Sequence, residues 1–210
     1  MEYKRNQIED AISRTINARS AGPSPELRTR LKRLLDTDRN LGRNKRSTDP
    51  TMTHYAFYSS ASPGKGVEVG FSAYEAFALL TGLRLLQHGW PQSFAVEMLR
   101  GHRPELERQH ARILKQDPET LFDETAIRNN ARPGDLAFDN TDPVFLTIAS
   151  GRREEKDDAA GAVCRGMKEV SEFLRKVSAK SWTLLELVTP AHALQGELVK
   201  AEPRKRGRSG

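Results

Sequence analysis

The segment from Ser72 to Gly89 constrains the fold of this chain more than any other. Ser72 and Glu75 have the spacing of a capping box, in which each side chain accepts a hydrogen bond from the backbone of the other residue. Gly89 stands where a glycine commonly ends a helix. Apolar side chains between them cover a wide arc of the predicted helix, so we expect a central helix on which other elements pack. They are Phe77, Leu79, Leu80, Leu83, Leu85 and Leu86.

Two further helices are predicted before the central one. The first begins at Asn6, which is spaced from Glu9 like a cap and its partner, and the segment 18–23 ends it. The second begins at Ser24 and Pro25, residue types suited to the N-cap and the first helical position. Its apolar face consists of Leu27, Leu31, Leu34 and Leu35.

Positive charge is concentrated at the two ends of the sequence. Residues 1–50 carry twelve basic and seven acidic side chains, a net +5, and residues 200–210 carry a net +4. The intervening residues carry a net −3, which gives +6 for the whole chain. Proteins with such an uneven charge distribution commonly bind a polyanion at one face, most often nucleic acid. In the second helix, Arg28, Arg30, Lys32 and Arg33 occupy much of the surface that the leucines leave over.

A basic, mobile loop over 40–50 and then a β-hairpin are predicted next. The hairpin arms are residues 54–58 and 67–71, joined by turn-forming residues. Two short helices, a hairpin and an amphipathic helix form the order of a winged-helix module, whose second helix enters the major groove. Lys65 lies between two glycines at the predicted hairpin tip, where it could approach a phosphate closely.

Two segments resemble regulators of the MerR type. Residues 22–35, Gly-Pro-Ser-Pro-Glu-Leu-Arg-Thr-Arg-Leu-Lys-Arg-Leu-Leu, resemble the recognition-helix region of that family, which typically shows a small-residue turn, Ser, then Leu-Arg. Residues 71–99 resemble the paired helices after the wing, a long apolar helix ending in Gly and a short Ser- and Glu-bearing helix. The resemblance covers residues 3–115 and implies a winged helix that binds DNA, commonly as a dimer.

The chain departs from this family at several points. The turn between the first two helices is longer, and so is the loop before the hairpin. Arg30 and Leu31 stand where an aromatic pair usually follows Leu-Arg. A cysteine metal-sensing pattern is absent, since the sequence has one cysteine.

The remainder of the chain predicts an α+β protein with a smaller second part. Helices are expected over 91–100 and 104–116, followed by a polar stretch to residue 142. A strand–helix–strand unit follows, with a strand at 143–148, a helix at 163–177 and a strand at 181–188. A crossover of this length would allow the two strands to pair in parallel. We therefore expect a winged-helix domain with a helical extension over 1–116, a small α/β unit over 117–200 and a disordered basic tail over 201–210.

Several classes of protein are disfavoured by the composition. The single Cys164 excludes an intrachain disulfide and a cysteine zinc site. His102, Glu105 and His110 fit no standard metal site, and no cofactor is expected. No run approaches the roughly 20 apolar residues of a membrane span, and the N-terminus lacks a secretory signal, so a cytoplasmic location is expected.

These patterns favour a sequence-specific, DNA-binding transcription regulator without enzymatic activity. Arg28, Arg30, Lys32 and Arg33 are the predicted groove or phosphate contacts, and Lys65 with the basic loop would contact the backbone. A homodimer is expected, with residues 104–116 as a candidate surface, and the C-terminal unit could sense a small-molecule effector. Two alternatives stay open: an excisionase-like architectural factor with the same winged helix, and a protein-interaction or small-molecule-binding module without a DNA role.

Overall fold

The computed structural model describes residues 2–59, 69–131, 138–150 and 159–201. Within these residues the protein combines helices with a three-stranded sheet, which confirms the α+β class. The elements are α1 (Arg5–Ile16), α2 (Pro25–Asn40), α3 (Pro50–Thr53), α4 (Ala73–Gln87), α5 (Gln92–Gly101), α6 (Arg103–Ile113), α7 (Pro118–Leu121), α8 (Glu124–Asn130), β1 (Val144–Ser150), β2 (Ala160–Arg165), α9 (Gly166–Lys176), β3 (Ser181–Glu186) and α10 (Val188–Lys200). The predicted hairpin tip with Lys65 and the predicted tail beyond residue 201 lie outside the described residues.

The chain forms two compact units. The first contains the described part of residues 1–101 together with residues 193–201, and the second contains the described part of residues 102–192. The chain passes from the first unit to the second between α5 and α6, and it returns within α10.

The first unit is built around α4, as its apolar arc predicts. The capping box forms, with Glu75 N donating to Ser72 Oγ at 3.2 Å and Ser72 N donating to Glu75 Oε2 at 2.7 Å. Gly89 follows the C-terminus of α4 with φ +84°, the left-handed conformation that glycine tolerates best. Helices α1, α2 and α5 pack against α4. Their buried apolar side chains include Ile8, Ala11, Ile12, Leu31, Leu34, Leu35, Ala95, Val96 and Leu99.

The start of α1 differs from the prediction. The N-cap is Lys4, whose backbone N–H donates to Gln7 Oε1 at 2.9 Å, and Asn6 is already inside the helix. The reason lies one residue earlier, where Tyr3 forms an antiparallel bridge with Phe71 through hydrogen bonds of 2.8 and 2.9 Å. This bridge keeps the chain extended up to Tyr3, so the helix begins as soon as the bridge ends.

The first arm of the predicted hairpin is not a strand. Residues 54–59 form no β-strand, and Phe71 at the end of the second arm pairs with Tyr3. The backbone N–H groups of Ala56 and Phe57 donate instead to the two carboxylate oxygens of Asp38, both at 3.0 Å. A buried side chain therefore satisfies the backbone groups that a partner strand would otherwise satisfy.

The sheet of the second unit is antiparallel throughout, in the order β2-β1-β3. The predicted strand–helix–strand unit missed β2 and placed Val163 in a helix, and the parallel pairing that it allowed between β1 and β3 is wrong. Small residues fill Ala160–Arg165 and leave little apolar alternation to detect, and α9 begins only at Gly166, whose φ is +68°. Since β1 lies between two partners, its residues Val144–Ala149 are all buried.

Candidate nucleic-acid interface

Helix α2 presents its cations to solvent because its other side is fixed in the core. Ser24 Oγ accepts a hydrogen bond from Leu27 N at 3.1 Å, and Pro25 occupies the first helical position, so the predicted start is confirmed. Leu31, Leu34 and Leu35 are buried. The four predicted contact residues, Arg28, Arg30, Lys32 and Arg33, are all exposed.

These four side chains do not form a single stripe. With 3.6 residues per turn, Arg28 and Lys32 lie on one side of the exposed surface, whereas Arg30 and Arg33 lie on the other. Glu9 of α1 is beside Arg28, with 3.6 Å between Oε2 and Nε. On the opposite side, Gln92 Nε2 at the start of α5 donates to the backbone oxygen of Arg33 at 3.2 Å. The four cations of α2 therefore lie along both edges of its exposed surface.

Three of the four cations have a carboxylate partner. In the part of the chain that the structure describes, Arg33 has no ion pair. Exposed ion pairs contribute only about 0–1 kcal/mol each, so a phosphate could replace the exposed carboxylates of Glu26 and Asp36 at small cost. The pairs are Arg28 Nε with Glu9 Oε2 at 3.6 Å, Arg30 Nη2 with Glu26 Oε1 at 2.6 Å, and Lys32 Nζ with Asp36 Oδ2 at 3.1 Å.

The basic loop after α2 carries three more cations, Arg43, Lys45 and Arg46. Lys45 and Arg46 are exposed, and the Arg43 guanidinium lies 5.2 Å from the centre of the Tyr55 ring. None of the three forms an ion pair with another described residue. Hydrogen bonds define the path of the loop, including Asn44 N to Met52 O at 2.8 Å.

A fully buried ion pair lies behind this loop, and sequence reasoning missed it. Arg100 Nε donates to Asp38 Oδ1 at 2.6 Å, and Arg100 Nη2 donates to the backbone oxygen of Asp38. Arg100 Nη1 donates to the backbone oxygens of Gly42 at 2.8 Å and Thr51 at 3.2 Å. The pair joins helices 62 residues apart, and no local pattern in the sequence marks the two residues as partners.

The second unit contains titratable groups that the predictions set aside. Burial and the neighbouring His192 lower the pKa of His110 to about 4, so its imidazole is neutral at physiological pH. Burial raises the pKa of the Cys164 thiol, which keeps it protonated. Within the described ranges, no three His, Cys, Asp or Glu side chains are grouped so that they could hold a metal ion.

An open cavity of about 390 Å³ lies in the first unit beside the start of α2. Its wall combines apolar groups of Ile16, Leu27 and Leu83 with polar groups of the turn between α1 and α2. The volume is within the range of about 300–1,000 Å³ that is typical of small-molecule sites.

Comparison with known proteins finds no match among protein-family models, curated proteins or solved structures. Among the described helices, none is both long and apolar enough to cross a bilayer.

Proposed function

We propose that this chain binds double-stranded DNA through α2 and acts as a sequence-specific, dimeric regulator of transcription. The observation that supports the proposal is the construction of α2, which is capped by Ser24, anchored by buried leucines and lined with four exposed cations. A short helix fixed on one side and cationic on the other is the form in which proteins commonly present side chains to the major groove.

The two-sided placement of the cations suits a groove. A helix with side chains is about 10–12 Å across, close to the roughly 12 Å width of the major groove. With α2 in the groove, Arg28 and Lys32 would face the phosphates of one strand, and Arg30 and Arg33 those of the other. An arginine that reaches the groove floor could also donate both of its Nη groups to a guanine.

The ion pairs on α2 determine how much free energy is lost when a cation turns from its carboxylate to a phosphate. Arg30 and Lys32 would each give up at most about 1 kcal/mol of an exposed pair on turning to a phosphate, and each contact releases condensed counterions from the DNA. Binding should therefore be strongest at low salt and should weaken as salt rises. If the cations serve only as a solvated surface, such a dependence will be absent.

A salt series with matched variants tests the proposal. Binding to DNA fragments from the protein's own genomic locus is measured between 50 and 200 mM salt for the wild type and for Arg28→Ala with Lys32→Ala. Two lost phosphate contacts should lower the slope of log K against log salt by about 1.8. Arg128→Ala with Lys168→Ala, exposed cations of the second unit, is the control and should leave the slope unchanged. A flat salt response of the wild type would refute DNA binding.

Two further measurements address regulation and assembly. Selective protection of sites near the protein's own promoter supports a regulator, whereas bending of DNA without such selectivity supports an architectural factor. Sedimentation tests the dimer. Leu106 and Ile113 of α6 are already buried within one chain, so a dimer through this helix would use polar residues such as Glu107 and Arg108.

The cavity beside α2 favours small-molecule binding as a second candidate function. Gln87 lines the cavity and is exposed, so Gln87→Trp would place a bulky side chain there and reduce the space for a ligand. A panel of small organic compounds is screened by thermal unfolding of the wild type. A compound that raises the melting temperature of the wild type, but not of Gln87→Trp, binds in this cavity.

A further inference from the structure

The three cations of the loop between α2 and α3 lack carboxylate partners among the described residues, whereas three of the four predicted contact cations on α2 have one. Arg43, Lys45 and Arg46 form no ion pair with other residues that the structure describes, and residues 40–48 contain no acid. Asp49 closes the loop, but its carboxylate caps α3 by accepting from Thr51 N at 2.8 Å. Three cations within four residues, none offset by an acid, make a site for a ligand with several negative charges.

One buried side chain holds the two ends of this loop together. Arg100 Nη1 donates to Gly42 O at 2.8 Å and to Thr51 O at 3.2 Å, and these two carbonyls flank the three cations in the sequence. Inside the loop, Arg46 N donates to Asn44 Oδ1 at 3.1 Å. The cationic side chains therefore project from a backbone whose ends are fixed at one guanidinium.

The same guanidinium fixes the loop relative to α2. Arg100 Nε donates to Asp38 Oδ1 at 2.6 Å, and Asp38 is part of α2. The Tyr55 ring lies beside both Arg100 and Arg43, with its centre 5.3 and 5.2 Å from the two guanidinium carbons. Only the planar fork of arginine offers five donors in several directions at once, and the ammonium group of lysine cannot reach all of these acceptors.

We propose that residues 42–51 form a phosphate-binding loop for the DNA backbone and that the buried Arg100 is its positioning residue. This inference rests on the proposed function of α2. With α2 in the major groove, the loop that directly follows it would contact the adjoining phosphates through Arg43, Lys45 and Arg46. Arg100 touches no DNA and acts by holding these cations at a fixed place beside the helix.

Salt dependence separates a positioning role from a purely structural one. Each phosphate contact contributes about 0.9 to the slope of log K against log salt. The triple variant Arg43→Ala, Lys45→Ala, Arg46→Ala should therefore lower the slope by about 2 to 3. Arg100→Lys keeps the buried charge but loses the fork, so it should lower the slope by a similar amount. Combined with the triple variant, Arg100→Lys should cause no further loss of slope.

Two additional variants keep the test decisive. Asn44→Ala removes the acceptor of Arg46 N at an exposed position and should lower the slope even if Arg100→Lys fails to fold. The control is Arg128→Ala, Lys168→Ala, Lys176→Ala on the second unit, which removes the same charge and should retain the wild-type slope.

The outcomes distinguish this inference from the proposed function. If the wild type shows no salt-dependent binding to DNA, the proposed function fails and the loop has no role in it. If the wild type binds but the triple variant keeps the full slope, the loop inference alone is overturned. If the triple variant loses slope while folded Arg100→Lys keeps it, the positioning role of Arg100 is overturned. Where Arg100→Lys does not fold, an unchanged slope of Asn44→Ala overturns the claim that a fixed loop backbone positions the cations.

Discussion

Arg100 Nε donates a hydrogen bond to Asp38 Oδ1 over 2.6 Å, and neither side chain has any exposed surface. Burying two charges is costly unless their remaining donors and acceptors also find partners. Here the guanidinium also meets the carbonyls of Gly42 and Thr51, and the carboxylate also meets two backbone N–H groups. The pair therefore joins α2, α5 and the chain on both sides of α3.

Removal of the carboxylate should be strongly destabilising. We expect Asp38→Ala to lower the free energy of unfolding by about 3–5 kcal/mol, because it leaves a buried guanidinium uncompensated. Asp36→Ala is the matched control on the same helix, since Asp36 pairs with Lys32 at the surface and should cost less than about 1 kcal/mol. Urea denaturation of the two variants and the wild type measures both values. Equal costs for the two variants would contradict the central role of Asp38.

The elements that sequence predicted well are those set by local chemistry. The capping box of Ser72 and Glu75, the cap at Ser24 and the glycine after α4 each act within a few residues, and all three form as expected. The apolar arcs of α2 and α4 also identified which sides of these helices are buried.

The features that sequence did not predict depend on distant partners. Residues 55–58 have the composition of a strand, yet Asp38 binds the backbone of two of them from 18 and 19 residues away. The small residues of β2 give no apolar alternation that would predict a strand from sequence, and the strand is recognised only from its pairing with β1. The Arg100–Asp38 pair spans 62 residues, a separation over which spacing carries no signal.

Two glycines should respond to alanine in opposite directions. Gly89 has φ +84°, a conformation that costs a residue with a Cβ about 1–2 kcal/mol, so Gly89→Ala should lower the free energy of unfolding. Gly196 lies within α10, and a Cβ built there would meet no atom within 4 Å. Gly196→Ala should therefore raise the free energy of unfolding by about 0.5–1 kcal/mol. Urea denaturation checks both signs, and a stabilising Gly89→Ala would contradict the left-handed conformation.

The cap of α2 should affect stability without changing the charge of the cations that we propose to contact DNA. Ser24→Ala removes the acceptor for Leu27 N and should cost about 1 kcal/mol of stability. Thr29→Ala on the same helix is the control, since the Thr29 hydroxyl only donates back to Pro25 O and caps no free N–H group. The salt slope of DNA binding should stay at the wild-type value for both variants. A reduced slope for folded Ser24→Ala would mean that the proposed contact with DNA depends on the cap as well as on the cations.

His110 should make the stability of the second unit depend on pH. Burial beside His192 lowers the pKa of the imidazole to about 4 from 6.5, so the folded protein keeps His110 neutral while the unfolded chain takes up a proton below pH 6.5. Stability from this group is therefore complete above pH 6.5 and declines as the pH falls toward 4, where the folded state also becomes protonated. Between pH 7.5 and pH 5 the decline should be about 2 kcal/mol. Urea unfolding at the two pH values measures it.

A variant comparison isolates His110 from the other titrating groups. In His110→Asn the loss of stability between pH 7.5 and pH 5 should be smaller than in the wild type by about 2 kcal/mol, since only the histidine is removed. His88→Asn, at an exposed position in the first unit, controls for loss of a histidine as such and should keep the full pH dependence. If His110→Asn and the wild type lose the same stability, the folded protein protonates His110 over the same pH range as the unfolded chain, and burial beside His192 does not lower its pKa.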